Sequence, residues 1–174
     1  MPDHAAFLKG MNLGRRRITN DELRTAVEGL GLAEVETFRA SGNVVFAAAE
    51  RSADDLQALL EEGLAEVLGY EVPTFVRSAA ELQKVTRADP FSGAEGKLQV
   101  ALLHDRPAAK AARELPGLAP EGEQLALDGR ELYWLPAAGI SDSPIDWKAV
   151  ERLVGPTTVR TIGTIGQIAA RWFA

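Results

Sequence analysis

The chain has 174 residues, 46% hydrophobic and 25% charged, with a formal net charge of -6 and no cysteine. Such a chain holds one ordinary domain or two small ones and can bury roughly 70% of the surface its extended form exposes. The composition excludes global disorder, disulfides, thiolate metal sites and cysteine nucleophiles, and its acidic balance disfavours non-specific binding to nucleic acid or an anionic membrane.

No apolar run is long enough to predict a membrane span. Met1-Pro2-Asp3-His4 lacks the basic-then-apolar order of a signal peptide, so the expected location is cytoplasmic.

Ala5 to Gly10 is short, apolar and closed by glycine, which predicts a strand. Lys9 to Arg17 reads as a loop containing Gly10, Gly14 and three consecutive arginines. Thr19 is placed to cap a helix, with Glu22 as its capping-box partner. Leu23, Ala26, Val27 and Leu30 keep helical spacing, and Gly31 ends the run. Two strands, Glu34 to Ala40 and Asn43 to Ala48, flank a Ser41-Gly42 turn. Ser52 caps a longer helix whose stripe is Leu56, Leu59, Leu60, Leu64, Val67 and Leu68, with Gly69 as its stop. Pro73 to Arg77 is a fourth strand. This order is that of a split βαβ, ferredoxin-like unit.

Ser78 to Val85 reads as a connecting helix, broken at Asp89-Pro90-Phe91-Ser92-Gly93. The pattern then recurs. Leu98 to His104 is a strand and Pro107 to Leu115 a helix. Gln124 to Leu127 and Glu131 to Leu135 form a hairpin on Asp128-Gly129. Asp146 caps a helix through Val154, Thr157 to Thr161 is a strand, and Thr164 to Trp172 is a closing helix. The expected architecture is α+β: two ferredoxin-like (α/β-plait) domains in tandem with an extra C-terminal helix. The expected bounds are 1–78, a connecting helix and linker over 79–95, and 96–174. Trp134, Trp147 and Trp172 are expected in the second core.

In that topology the carboxyl end of strand one, the amino end of helix one and the first hairpin turn share one sheet edge. Lys9, Asn12, Arg15, Arg17, Arg39, Ser41 and Asn43 converge there, and free N–H groups at the helix end add positive potential. A small phosphate- or carboxylate-bearing ligand suits such a place. Arg160, alone among the β-branched residues of the last strand, is a candidate second anion contact, with an interdomain salt bridge as its plainer role. The competing structural reading is that the glycines only supply positive φ, Asn43 only caps its hairpin, and the arginines are solvated.

Phe7 and Phe46 lie on strands that carry base-stacking aromatics in RNA-recognition modules on this topology. Asn43-Val44-Val45-Phe46 does not fit that consensus, and its consecutive apolar residues predict a sheet covered on both faces. Catalytic signals are sparse. His4 and His104 are the two histidines, no Gly-x-Ser-x-Gly occurs, and neither phosphate-loop nor dinucleotide glycine pattern is present. No metal or other cofactor is expected.

Several stretches resemble one family. Phe7-Leu8-Lys9-Gly10-Met11-Asn12-Leu13-Gly14 resembles its opening LRGINVGG. Phe38 to Phe46 resembles its YIQSGNVVF, and Asp89-Pro90-Phe91 its NPF. Leu132 to Pro136 and Ala138-Gly139-Ile140 resemble its tyrosine-containing strand and following turn. The family is the bacterial domain-of-unknown-function family 1697. The resemblance implies two ferredoxin-like domains and no established activity, and it singles out Lys9, Gly10, Asn12, Ser41, Gly42 and Asn43. Lys9 stands where the family has arginine, Pro144 where it has lysine, and Thr161 and Gly163 where it has two asparagines. Any polar set those asparagines complete is therefore reduced in this chain.

The sequence thus leads first to a protein binding a small anion at the Arg39–Asn43 tip and the Lys9–Arg17 loop. Its alternatives are single-stranded nucleic-acid binding through a sheet face, and a protein-interaction module. Enzymatic activity and oligomeric state stay open.

Overall fold

The computed structural model describes residues 1–11, 18–39 and 42–174. Among them the chain forms two runs of elements in the same order. The first is β1 (His4–Leu8), α1 (Asn20–Glu28), β2 (Ala33–Thr37), β3 (Asn43–Ala47), α2 (Ala53–Leu68) and β4 (Thr74–Ser78), followed by α3 (Ala79–Thr86). The second is β5 (Gln99–Leu103), α4 (Ala109–Glu114), β6 (Gln124–Asp128), β7 (Glu131–Leu135), α5 (Trp147–Val154) and β8 (Thr157–Thr161), followed by α6 (Ile162–Trp172). α4 begins two residues later than its sequence pattern suggests, after Ala108 in extended backbone, and ends one residue earlier, where a 3-10 turn over Leu115–Leu118 takes over at Pro116.

Each run makes a four-stranded antiparallel sheet, ordered β2-β3-β1-β4 and β6-β7-β5-β8. The compact units are Met1–Lys84 with Gln167–Ala174, and Val85–Gly166. From Gln167 onwards the closing helix therefore groups with the first unit, whereas the sequence reading assigned it to the second.

In the first unit the helix ends follow their capping residues. Thr19 Oγ1 accepts the Glu22 N–H at 3.1 Å, and Ser52 Oγ accepts that of Asp55 at 3.1 Å. Gly69 closes α2 in the left-handed conformation, with φ of 80°. One face of the sheet places Ala6, Leu8, Val44, Phe46 and Val76 against Leu23, Val27, Leu56, Leu60 and Leu64 of the helices. Leu30 lies close above Gly63, where a Cβ would stand 2.3 Å from Leu30 Cδ2. The other face, carrying Ala5, Phe7, Val45, Phe75 and Arg77, is buried as well. That two-sided burial is what the consecutive apolar residues of β3 encode. Phe7 and Phe46 are both 0% exposed, so neither ring is open to a base.

The second unit has its own core of Ala101, Leu103, Leu132, Trp134, Val150 and Val154. Trp134 meets Trp147 edge-on at 5.2 Å. Its Nε1 donates to Glu123 Oε1 at 2.8 Å, and Ser143 Oγ donates to the same oxygen at 2.8 Å. Burial, followed by the charges of Glu131 and Asp128, raises the Tyr133 hydroxyl well above the usual tyrosine range. Trp172 departs from expectation. It belongs to the first unit, where its ring meets Phe38 edge-on at 5.8 Å.

Candidate functional site

Four segments meet at one end of the first sheet: β1, the hairpin, α1 and the β4 edge. β1 reaches the hairpin through the Leu8 N–H, which donates to the Gly42 carbonyl at 2.8 Å. Helix α1 reaches it through Asn20 Nδ2, which donates to the Arg39 carbonyl at 3.2 Å. The β4 edge joins through the Lys9 N–H, which donates to the Pro73 carbonyl at 3.0 Å. Gly42 permits the closure. Its φ is +78°, and a Cβ there would stand 3.0 Å from Leu8 O and 3.1 Å from Met11 Cγ.

The individual side chains divide into those facing inward and those facing outward. Asn43 is 1% exposed. Its Nδ2 donates to the Phe38 carbonyl at 3.0 Å, while the Phe38 N–H donates to the Asn43 carbonyl at 3.0 Å. It closes the hairpin from within. Lys9 is half-buried, and Arg39 is exposed at the tip. Asn12, Arg15, Arg17 and Ser41 lie outside the described residues.

Arg39 is the exposed cation among the described residues of the set. Its φ of 60° is left-handed, an uncommon conformation for a residue with a side chain. Its Nη2 donates to Gln167 Oε1 at 2.6 Å, and the guanidinium carbon lies 5.3 Å from the centroid of the Phe38 ring. Nearby, Arg171 spans Glu36 at 3.9 Å and lies over Trp172 at 4.6 Å. Sequence reasoning missed Asn20 and Gln167. Asn20 follows a cap residue and offers no separate signal. Gln167 lies 128 positions from Arg39, beyond the reach of any local pattern.

The first turn of α1 carries Asp21 and Glu22, which offset part of the positive potential at the helix end. Positive charge at this edge therefore rests mainly on side chains. Arg160 is in the second unit, on β8. Its Nη1 donates to Thr158 Oγ1 at 2.8 Å and to the Val159 carbonyl at 3.0 Å. Burial pulls its guanidinium down to about 10, which still leaves it charged at neutral pH. His4 stacks on Phe46 at 6.1 Å, and His104 Nδ1 is 3.1 Å from Asp105. Among the described residues no three His, Asp or Glu side chains are grouped to hold a metal ion. No described helix is long and apolar enough to cross a membrane.

This two-sheet α+β arrangement agrees with the comparisons. The chain belongs to the family described as "Protein of unknown function (DUF1697)", whose model matches residues 1–133. The matched span takes in the first hairpin and the Asp89-Pro90-Phe91 stretch, while Ala138–Ile140 and Arg160–Thr164 lie beyond it. The fold is similar to that of the conserved bacterial protein SP0830 from Streptococcus pneumoniae, with a TM-score of 0.79 at 19% identity over 100% of this chain and 99% of that one. No functionally curated protein matches the sequence.

Proposed function

We propose that the protein binds a small phosphate- or carboxylate-bearing molecule at the end of the first sheet. Each unit is read as ferredoxin-like, a reading supported by the strand orders β2-β3-β1-β4 and β6-β7-β5-β8. The observation that carries the ligand reading is the direct linkage of β1, α1 and the hairpin turn through Leu8–Gly42 and Asn20–Arg39. That linkage brings an exposed arginine beside a helix amino end. Arg39 and Lys9 would supply charge, with Asn12, Arg15, Arg17 and Ser41 of the adjoining segments as further contacts. Asn43 would act from inside, by holding the turn. A thermal-shift screen with phosphates, nucleotides and carboxylates tests this. A ligand at 100 times its Kd adds ~2.7 kcal/mol of stability. No stabilisation by any anion at high excess overturns the reading.

One observation favours an interaction module as a second reading. A cavity of about 630 Å3 opens between α1 and α2, floored by Ile18, Ala26, Leu30 and Leu68 and edged by Asp21 and Glu22. Val67, which also lines it, is 62% exposed. Val67→Lys would impair partner binding there and leave anion-induced stabilisation unchanged.

A further inference from the structure

We infer that Gln167 and Trp172, at the middle and the end of α6, are positioning residues for Arg39: they fix the plane in which its guanidinium meets an oxyanion at the first hairpin. The inference rests on the anion-binding reading and adds what makes Arg39 a fixed charge rather than a swinging one. Three observations carry it.

The backbone of Arg39 is held. Its left-handed φ of 60° persists beside a carbonyl that accepts from Asn20 Nδ2 at 3.2 Å. Its guanidinium is held as well. Arginine presents its five N–H groups in one rigid planar fork, so a bond to any of them orients the rest. Here Nη2 donates to Gln167 Oε1 at 2.6 Å. Finally, the surface beneath the guanidinium is held. The Phe38 ring lies 5.3 Å from the Arg39 guanidinium carbon and meets the Trp172 ring edge-on at 5.8 Å. Gln167 and Trp172 are five positions apart on one helix, so a single element sets both the fork and its floor.

The consequence is preorganisation. A free arginine gives up rotamer freedom when it binds an anion, whereas one already tied down has little left to lose. A planar fork of fixed orientation favours paired oxygens, as in a carboxylate or a phosphate, over a spherical ion of the same charge.

The test uses the full chain with inorganic phosphate as probe, followed by NMR of the arginine side-chain N–H signals. Gln167→Met keeps the length and removes the acceptor. The expected result is averaging of the Arg39 Nη signals and a rise in phosphate Kd of about two- to tenfold. Gln167→Glu keeps the acceptor but adds a negative charge. Arg39 should stay ordered in it while phosphate binding weakens further, a split that a merely structural role would not produce. Should Gln167→Met fail to fold, Gln167→Glu and Trp172→Leu carry the same comparison. Wild-type phosphate affinity in Gln167→Met, with Arg39 set free, overturns the positioning role and leaves the anion reading standing. No phosphate response in the wild type overturns both.

Discussion

The central strand pairs of the two sheets repeat each other residue by residue, and the repeat lapses in the β2–β3 register between Ala33 and Glu36 and at the first hairpin turn. β1 pairs with β4 from His4↔Ser78 to Leu8↔Thr74, and β5 pairs with β8 from Gln99↔Thr161 to Leu103↔Thr157. The bonds around them match too. Leu8 N–H to Gly42 O has its counterpart in Leu103 N–H to Arg130 O, both 2.8 Å. Lys9 to Pro73 at 3.0 Å matches His104 to Pro156 at 3.3 Å. Arg77 and Arg160 occupy the same register position, and each donates from Nη1 to the carbonyl of the preceding valine. Then the hairpins diverge. The second turns through Gly129 and Arg130 alone, between Asp128 and Glu131. The first spends residues 38–42 between Thr37 and Asn43 and includes the left-handed Arg39. Both tips carry charged residues; what distinguishes the first is its longer turn and the bond from Arg39 to Gln167, far along the chain.

The largest predicted effect probes the shared part. Phe46 and Trp134 face β1 and β5 at matched positions, partnering His4 and Gln99, and both are fully buried. Phe46→Ala and Trp134→Ala should each cost about 3–5 kcal/mol in denaturant unfolding. Trp134→Phe separates the ring from its hydrogen bond. Glu123 loses a buried donor in that variant, a loss of about 1–3 kcal/mol that has no counterpart in the first unit. Tolerance of alanine at one site and not at the other would break the equivalence.

A smaller effect probes the divergence. Gly42→Ala forces a side chain into φ of +78° and within 3.0 Å of the Leu8 carbonyl, so it should destabilise by roughly 1–3 kcal/mol. Arg130→Ala, at the matching position, meets neither obstacle and should stay within about 0.5 kcal/mol of wild type. Similar stabilities for the two variants would remove the argument that the first turn is the constrained one.

Much of this was legible in the sequence because it is locally encoded. Thr19 with Glu22, Ser52 and Gly69 mark helix ends through hydrogen bonds that span a turn, and Asp128-Gly129 marks a hairpin through backbone conformation. The doubled element order follows from such marks. What stayed hidden depends on tertiary neighbours. The burial of Arg77 follows from its place on a covered face, and that of Glu123 from donors on Trp134 and Ser143. Trp172 looks like a second-core residue until α6 is seen to group with the first unit. At the candidate site, the sequence singled out Arg39 and Asn43 by type. It offered hairpin closure for Asn43 as the competing role, and choosing that role over ligand contact depends on the register of β2 against β3.

The smallest effect is a pH dependence confined to the first unit. The Asp3 carbonyl accepts the Ala79 N–H at 3.0 Å, and the Leu98 carbonyl accepts that of Ile162 at 3.1 Å, so Asp3 and Leu98 are matched positions. One carries a carboxylate and the other does not. Partial desolvation raises the Asp3 carboxyl, but His4 Nδ1 at 2.7 Å and the Ala48 N–H at 2.9 Å together outweigh it, and the net shift is downward. A carboxyl lowered in the folded state binds fewer protons there than in the unfolded chain. Its stabilising contribution is therefore complete above the unfolded value of 3.8 and is lost as pH falls through the lower folded value. Asp3→Asn removes that contribution at every pH. The stability difference between wild type and Asp3→Asn should thus be constant near neutrality and shrink towards zero in acid. Because the side chain is 41% exposed, solvent screening keeps the difference small. Leu98→Asn, its counterpart, should show no such convergence, since no carboxylate is lost there. A gap that widens in acid, or one that closes for both variants, would mean that Asp3 is not what makes the first unit acid-sensitive.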